Sequence, residues 1–479
     1  MFAQTSNPTS GRLVDFLALK DSDPDDPMVT FTADATNAYY QVPETEEFYV
    51  EPPVEWKIWR ESKSLSSDDV VWKLKKQLPG RRAAAARWCD YTRDRLQEAG
   101  IVQYPAQQHF YAKPGTRIFM ESHMDDFHGC GRRSEVQQIL PELKAKFKLK
   151  ASDVVVEGAY SHLKRVRWRL PDATIIAANS KHEKNVIKAL GLEGANGAAT
   201  PHLAEDRPTD STPLDTTRSK TFRQCVMGLL YLCTDRMYIQ YEIHELTSEL
   251  KVPTEYDYRR LVRVARYLIS HPERGTIFRR PEGKTGHVKL SVTTDTDWAG
   301  DKRTRKSRAC ALIRADGCLL ASIVRKQSFL ALSSAEAEFG GLHTGVIETY
   351  PFKMLLEWLG FVVSWEAHTD SSAARSMCHR GGVGKVRHMD LRLLWTQAAV
   401  KRLGLNVHKV EGTRNGADLG TKKHTGEDIA RLSVLCDMVC LEDFQKPKDV
   451  EVGRITFEPM TSLESALKTL VQVIMFEVA

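Results

Sequence analysis

Hydrophobic and polar positions along this chain change their period several times, and each change marks an element. "MVTFTADATNAYYQV" (28–42) alternates as a half-buried strand does, then passes into a helical or turn segment. In "ARWCDYTRDRLQEAG", Trp88, Tyr91, Arg95 and Leu96 recur at helical spacing up to a stop at Gly100. "QHFYAKPGTRIFMESHMDDFHGCG" (108–131) reads as short strands broken at "KPGT" and "HMDD", which puts Asp125 and Asp126 at a hairpin tip. A helix containing Pro141 follows over "EVQQILPELKAKFKLK", then a hairpin over "SHLKRVRWRLPDATIIAAN". "SKHEKNVIKALGL" is a further helix, with Ser180 as its cap and Glu183 three residues on.

Residues 191–220 turn rich in Gly, Ala, Pro, Thr and Asp and read as a linker, with helices following over about 221–250 and 254–271. From near 286 the pattern runs strand, strand, strand, helix, strand, helix, helix, strand, helix, with Asp316-Gly317 as a tight hairpin turn and a long helix from about Ser334 to Gly360. That order implies a mixed sheet flanked by helices. The whole chain therefore reads as a multidomain α/β (α+β) protein divided at 1–190, 191–285, 286–425 and 426–479. Residues 1–30 look like a flexible start or the remnant of a longer element, and the last segment carries a capping box in Thr461 and Glu464.

Composition refines this picture without changing it. The 479 residues are 42% hydrophobic and 27% charged, and the longest apolar run, in "ALKTLVQVIMFEVA", holds a lysine and falls short of the ~20 residues needed to span a bilayer. No basic start followed by an apolar block and cleavage site opens the chain, so an intracellular location, in a cytoplasmic particle or the nucleus, is expected rather than secretion, with no membrane partner. The nine cysteines are scattered without a CxxC pair and read as reduced thiols; Cys436 and Cys440 suit one helix face. A net charge of +6 is modest, but "KLKK", "KAKFKLK", "KRVRWR", "YRRLVRVARY" and "DKRTRKSR" interleave cations with aromatic residues. Any one of them is ordinarily a solvated face; together they point to a polyanion.

The candidate chemistry lies in acids at element ends. Asp295 closes one strand, Glu338 lies in the long helix, Asp370 closes the next strand and Asp418 opens the last helix, an arrangement that directs carboxylates into one crevice. Asp297, Asp301 and Glu336 compete with them on spacing alone. Oxygen ligands of this kind suit Mg²⁺, with Mn²⁺ as a substitute, and a pair of such ions serves phosphoryl transfer.

"TDTDWAGD", "ALSSAEAEF", "HTDSSAA", "VRHMDLR" and "ADLGTK" resemble, in order, the RNase H segment of copia-type LTR retrotransposon Pol polyproteins, from about 286 to 424. The resemblance implies Asp295, Glu338, Asp370 and Asp418 as metal-binding catalytic acids, and cleavage of the RNA strand of an RNA–DNA hybrid. It selects Glu338 over Glu336 through the second acid of "AEAEF". "FTADATNAYYQV", "VWKLKKQLPGRRAAAARW" and "FMESHMDDF" resemble the reverse transcriptase of the same elements. They imply Asp34, Asp125 and Asp126 as palm carboxylates, Tyr39 as the aromatic gate and Met124 as a further nucleotide contact, acting on an RNA template, a DNA primer and dNTPs. Residues 191–285 resemble the connecting region.

The chain also departs from the family. His123 stands where a tyrosine is usual, "LPGRRAAAARW" is altered, and the 33 residues before Asp34 leave no room for a fingers subdomain, so an impaired polymerase half is expected. The alternative is a catalytically silent relic that binds nucleic acid through its basic clusters.

Overall fold

The computed structural model describes residues 8–64, 70–151, 154–208, 210–272, 274–384 and 391–444. It is a mixed α/β structure that divides into two compact units, one including Pro24–Val155 and the other including Asp15–Asp23 and the chain from Val156 onward. Among the described residues no helix is long and apolar enough to cross a membrane.

Helix α1 (Pro8–Leu19) contributes to both units. Of the two readings of this segment, a flexible start does not hold for Pro8–Leu19. It is instead a buried helix, because "LVDFLAL" supplies an apolar run: Leu13, Val14, Phe16, Leu17 and Leu19 are all 0–1% exposed. Its one buried acid, Asp15, is neutralised by Arg167 at 2.8 Å.

In the first unit, β1 (Met28–Ala35) leads through the short α2 (Ala38–Gln41) to a small ribbon of β2 (Tyr49–Val50) and β3 (Trp72–Lys73), with α3 (Val54–Ser62) between them. Helix α4 (Ala84–Glu98) precedes β4 (Val102–Gln103), β5 (Phe110–Ala112), β6 (Phe119–His123) and β7 (Asp126–Arg132); α5 (Arg133–Lys146) and β8 (Leu149–Ala151) complete the unit. The sheet order is β4-β5-β6-β7-β1-β8, antiparallel throughout, so β1 lies between the hairpin strand β7 and β8. Trp88, Phe127, Ile139, Leu143 and Phe147 form much of the core beneath it.

The second unit opens with β9 (Gly158–His162), β10 (Arg165–Leu170) and β11 (Ala173–Ala178), followed by α6 (Lys181–Ala189). Ser180 precedes α6 in a helical conformation and makes no capping bond; Glu183 is drawn inward to Arg236 at 2.7 Å instead. The expected linker is pinned, not free: Ala198 N–H donates to the Arg266 carbonyl, Tyr256 OH to the Glu205 carbonyl, and Arg207 pairs with Asp257. The helix expected over 221–250 is split into α7 (Thr216–Leu232) and α8 (Gln240–Thr247) by the turn around Asp235 and Arg236, and α9 (Glu255–Ser270) follows behind a capping box at Thr254. Strand β12 (Arg274–Arg279) joins the β9–β11 sheet.

The third sheet contains β13 (His287–Thr296), β14 (Arg308–Ala315), β15 (Cys318–Lys326), then α10 (Ser334–Trp358), β16 (Val362–Thr369), α11 (Ser372–His379), α12 (Trp395–Arg402) and β17 (Asn406–Lys409). Its order is β15-β14-β13-β16-β17, antiparallel among the first three and parallel from β13 to β16 and β17. Helix α13 (Gly426–Leu435) and β18 (Met438–Cys440) close the described chain, β18 pairing with β12. Cys436 caps α13 and Cys440 ends β18, so the two thiols do not share a helix face; all nine cysteines are free. The capping box at Thr461 and Glu464, and most of "VRHMDLR", lie outside the described residues.

The basic clusters also read differently in three dimensions. Strand alternation puts Arg165, Arg167 and Arg169 on one buried face, where Arg165 meets Asp235, Arg167 meets Asp15, and Arg169 donates to carbonyls. Arg260 is buried against Glu242, and Arg308 against Glu245. These cations hold the second unit together, since a buried charge persists only when paired.

Helix α10 approaches β13 closely because glycines face the strand. A methyl group at Gly345 would lie 2.6 Å from Thr294 Cγ2 and 3.0 Å from Val292 Cγ2, both on β-branched strand residues with little freedom to yield. Gly345→Ala therefore has a predictable sign. The ~1 kcal/mol by which alanine outranks glycine in a helix is exceeded by overpacking of about 1–3 kcal/mol, so thermal unfolding should occur at a lower temperature than in the wild type. A rise in melting temperature would contradict this packing.

Candidate metal centre and hairpin acids

The glycine-faced contact carries Glu338, in the first turns of α10, to the end of β13. Ligand oxygens of Asp295, Glu338 and Asp370 all lie within 4.8 Å of one another. Asp295 is next to last in β13 and Asp370 follows β16 directly, and the two strands are parallel neighbours, so their carboxylates emerge at the same sheet end. Asp418 sits in a 3-10 turn, Gly416–Gly420, rather than at the start of an α-helix, and pairs with Lys422 at 2.6 Å.

The competing acids have other occupations. Glu336 accepts from the Leu332 N–H at 2.8 Å and belongs to the α10 cap with Ser333. Two residues further on, Glu338 points to a different side of the helix, as the ~100° step per residue requires. Asp301 pairs with Lys326 at 2.6 Å and closes the 301–304 turn, and Asp297 accepts the Arg308 N–H.

Several groups that hold the site carry no charge pattern in the sequence. Thr421 Oγ1 donates to Asp295 at 2.6 Å, and Asn415 Nδ2 donates to Asp295 and to the Thr294 carbonyl. His424 bonds to the Asp418 carbonyl at 2.8 Å. The "NGADLGTKKH" string around Asp418 was the available signal.

Burial and like charge make ionisation of this set costly. Burial, then Asp295 and Asp370, push the Glu338 carboxyl up to about 9, and burial outweighs the Thr421 bond to raise Asp295 to about 6. Asp370 is raised by burial first. Glu338 Oε2 is buried with no hydrogen-bond partner. An orphaned carboxylate oxygen among like charges, in an all-oxygen donor set, fits Mg²⁺ or Mn²⁺.

In the first unit, Asp34 and Asp126 face each other across β1 and β7, and the Asp125 carbonyl accepts the Ala35 N–H at 2.8 Å. Met124 occupies the hairpin tip in a left-handed conformation, φ 58°, and its carbonyl accepts the Trp88 indole N–H at 2.7 Å. A non-glycine residue there costs about 1 kcal/mol or more, which the buried tryptophan bond offsets. Asp34 is raised by burial and then by Asp125, and the Tyr39 hydroxyl by burial and then by Asp125, placing these groups in one neighbourhood. Among the described residues the three hairpin acids do not close to the 4.8 Å spacing of the first set.

The structure thus defines a mixed α/β protein with a buried carboxylate set at the end of a five-stranded sheet and a second acid group on an antiparallel hairpin. No family model matches the chain. It is 24% identical over 395 residues to the retrovirus-related Pol polyprotein from transposon RE2 of Arabidopsis thaliana, covering 81% of this chain and 26% of that protein. It is likewise 24% identical over 311 residues to the polyprotein from transposon RE1 of the same plant, covering 64% of this chain and 20% of that protein. The chain therefore spans a fifth to about a quarter of the length of these relatives. Among solved structures, a foamy viral protease-reverse transcriptase in complex with dsDNA covers 86% of this chain and 72% of its own, at 10% identity and a TM-score of 0.46. The relatives that this chain matches thus include retrovirus-related Pol polyproteins of plant transposons.

A pH dependence follows from the raised acids. Their folded-state values lie above the ordinary 3.8 and 4.5, so ionisation disfavours the metal-free fold. Its stability should be greatest at low pH with respect to these groups and fall as pH rises through about 6 and then about 9. Melting curves in chelator should show Glu338→Gln more stable than wild type by a margin that grows from pH 5 to 9. A margin independent of pH would mean that Glu338 is not held among like charges.

Proposed function

We propose that residues 286–425 form a divalent-metal-dependent ribonuclease H that cleaves the RNA strand of RNA–DNA hybrids, and that residues 1–190 are the palm and thumb of an RNA-directed DNA polymerase, joined by the 191–285 connection. The observation that carries the first part is the convergence of Asp295, Glu338 and Asp370 with an orphaned Glu338 oxygen. The homology to Pol polyproteins supports both parts.

In this reading Asp295, Glu338, Asp370 and Asp418 hold Mg²⁺ or Mn²⁺. When bound, such ions neutralise phosphate charge and make an attacking water more acidic. The chain's own contribution is positioning. Thr421 and Asn415 fix the Asp295 carboxylate, and Lys422 screens Asp418. Burial of Asp295 and Glu338 keeps water away from their carboxylates and leaves those charges weakly screened.

Asp34, Asp125 and Asp126 take the equivalent role in the polymerase half, with Tyr39 and Met124 contacting the dNTP beside an RNA template and DNA primer. The in-register Asp34–Asp126 pair supports this, together with the spending of backbone strain at Met124.

The test is direct. With Mg²⁺ the protein should cleave a labelled RNA–DNA hybrid, and Glu338→Gln should reduce the rate at least a hundredfold. Salt-sensitive hybrid binding without cleavage under any divalent metal would favour a silent nucleic-acid-binding relic. Primer extension, where present, should be lost in Asp125→Asn while hybrid cleavage is kept; extension by that variant would remove Asp125 from the site.

A further inference from the structure

On the sheet face turned away from the α10 glycines lies a cavity of about 370 Å³ that the acid set does not use. Val292 and Thr294 of β13 face α10, so the alternate residues Lys289, Ser291 and Thr293 face the other way, and they line this cavity with Arg314, His368 and Arg414. Strand register explains the grouping: Arg314 is the cross-strand partner of Ser291, and His368 the parallel partner of Thr293.

The donors here are in excess. Lys289 pairs with Glu366 at 3.1 Å, and Arg314 donates to the Leu435 carbonyl at 2.6 Å and to Asp437 at 3.4 Å, which leaves N–H groups of both cations uncommitted. Among the described residues, the Arg414 guanidinium and the hydroxyls of Ser291 and Thr293 have no hydrogen-bond or ionic partner. Of the carboxylates nearby, Glu366 is opposed by Lys289, Asp437 by Arg314 and Asp316 by Lys20. A concave wall of arginine, lysine and free hydroxyl donors is suited to a tetrahedral anion, and arginine grips phosphate with two parallel bonds. The volume lies in the range of small-ligand pockets and admits a single nucleotide.

Its position ties it to the acids. Thr293 and His368 stand two residues before Asp295 and Asp370, so the cavity lies about 6–7 Å back along the strands from the carboxylate set. We propose that this cavity binds the phosphate group of a nucleotide. The ligand's identity rests on the nucleic-acid reading of the neighbouring acids, but its binding requires neither metal nor cleavage. The phosphate is either that of a free mononucleotide or one within a polynucleotide backbone.

Calorimetric titration of the full chain in chelator, with 5′-AMP, inorganic phosphate, adenosine and an uncleaved RNA–DNA hybrid as probes, tests this. The expected result is binding of 5′-AMP or hybrid, none of adenosine, and about tenfold weaker binding in Arg414→Ala, whose side chain is exposed and can be removed without disturbing the fold. Thr293→Val should weaken it in the same direction, and Glu338→Gln should leave it intact, which separates this site from the acid set. A loss seen with 5′-AMP or phosphate assigns a terminal phosphate; a loss seen with hybrid alone assigns a backbone phosphate. Unchanged affinity for all probes in Arg414→Ala, or adenosine binding as tightly as 5′-AMP, would overturn the proposal. Hybrid cleavage failing while 5′-AMP binding survives would contradict the nuclease reading and leave this one standing.

Discussion

Mutual repulsion among Asp295, Glu338 and Asp370 is the constraint around which the second unit is organised. Burying these carboxylates and bringing their oxygens within 4.8 Å of one another raises Glu338 to about 9, so ionisation of the set works against the fold. The surroundings force the approach. Parallel pairing of β13 with β16 sets two acids at one sheet end, and a glycine face on α10 lets the helix settle onto β13 and deliver the third. Thr421 and Asn415 then fix the most central carboxylate by neutral donors that add no competing charge.

The hairpin acids of the first unit follow a looser version of the same principle. Antiparallel register sets Asp34 opposite Asp126, and Trp88 holds the strained Met124 between the strands. Their environment is more open, with Asp125 exposed and Asp34 only partly buried, so less repulsion is stored there than in the sheet-end set.

Much of the element order was legible because period changes report which face is buried. Strands β13, β14 and β15, helix α10 and the hairpin around Asp125 lie where their patterns place them. What could not be read depended on partners distant in sequence. Arg165 and Arg167 look like surface cations until Asp235 and Asp15, 70 and 152 residues away, are seen to neutralise them. The helix Pro8–Leu19 was hidden by polar flanks, and the pinned stretch before α7 by a composition that imitates a linker. Spacing alone left Glu336 and Glu338 open and the resemblance favoured Glu338; in the fold Glu336 caps the helix while Glu338 approaches Asp295. Asn415 and Thr421 lie in the string around Asp418, but uncharged donors leave no periodic trace that marks them as partners of Asp295.

In the function proposed, Asp295, Glu338 and Asp370 form a divalent-cation site. Anomalous diffraction from crystals soaked in Mn²⁺ tests it most directly. The expected result is a peak within coordination distance of all three carboxylates, absent in Glu338→Gln crystals. Well-ordered crystals with manganese bound elsewhere and no peak at this set would contradict it.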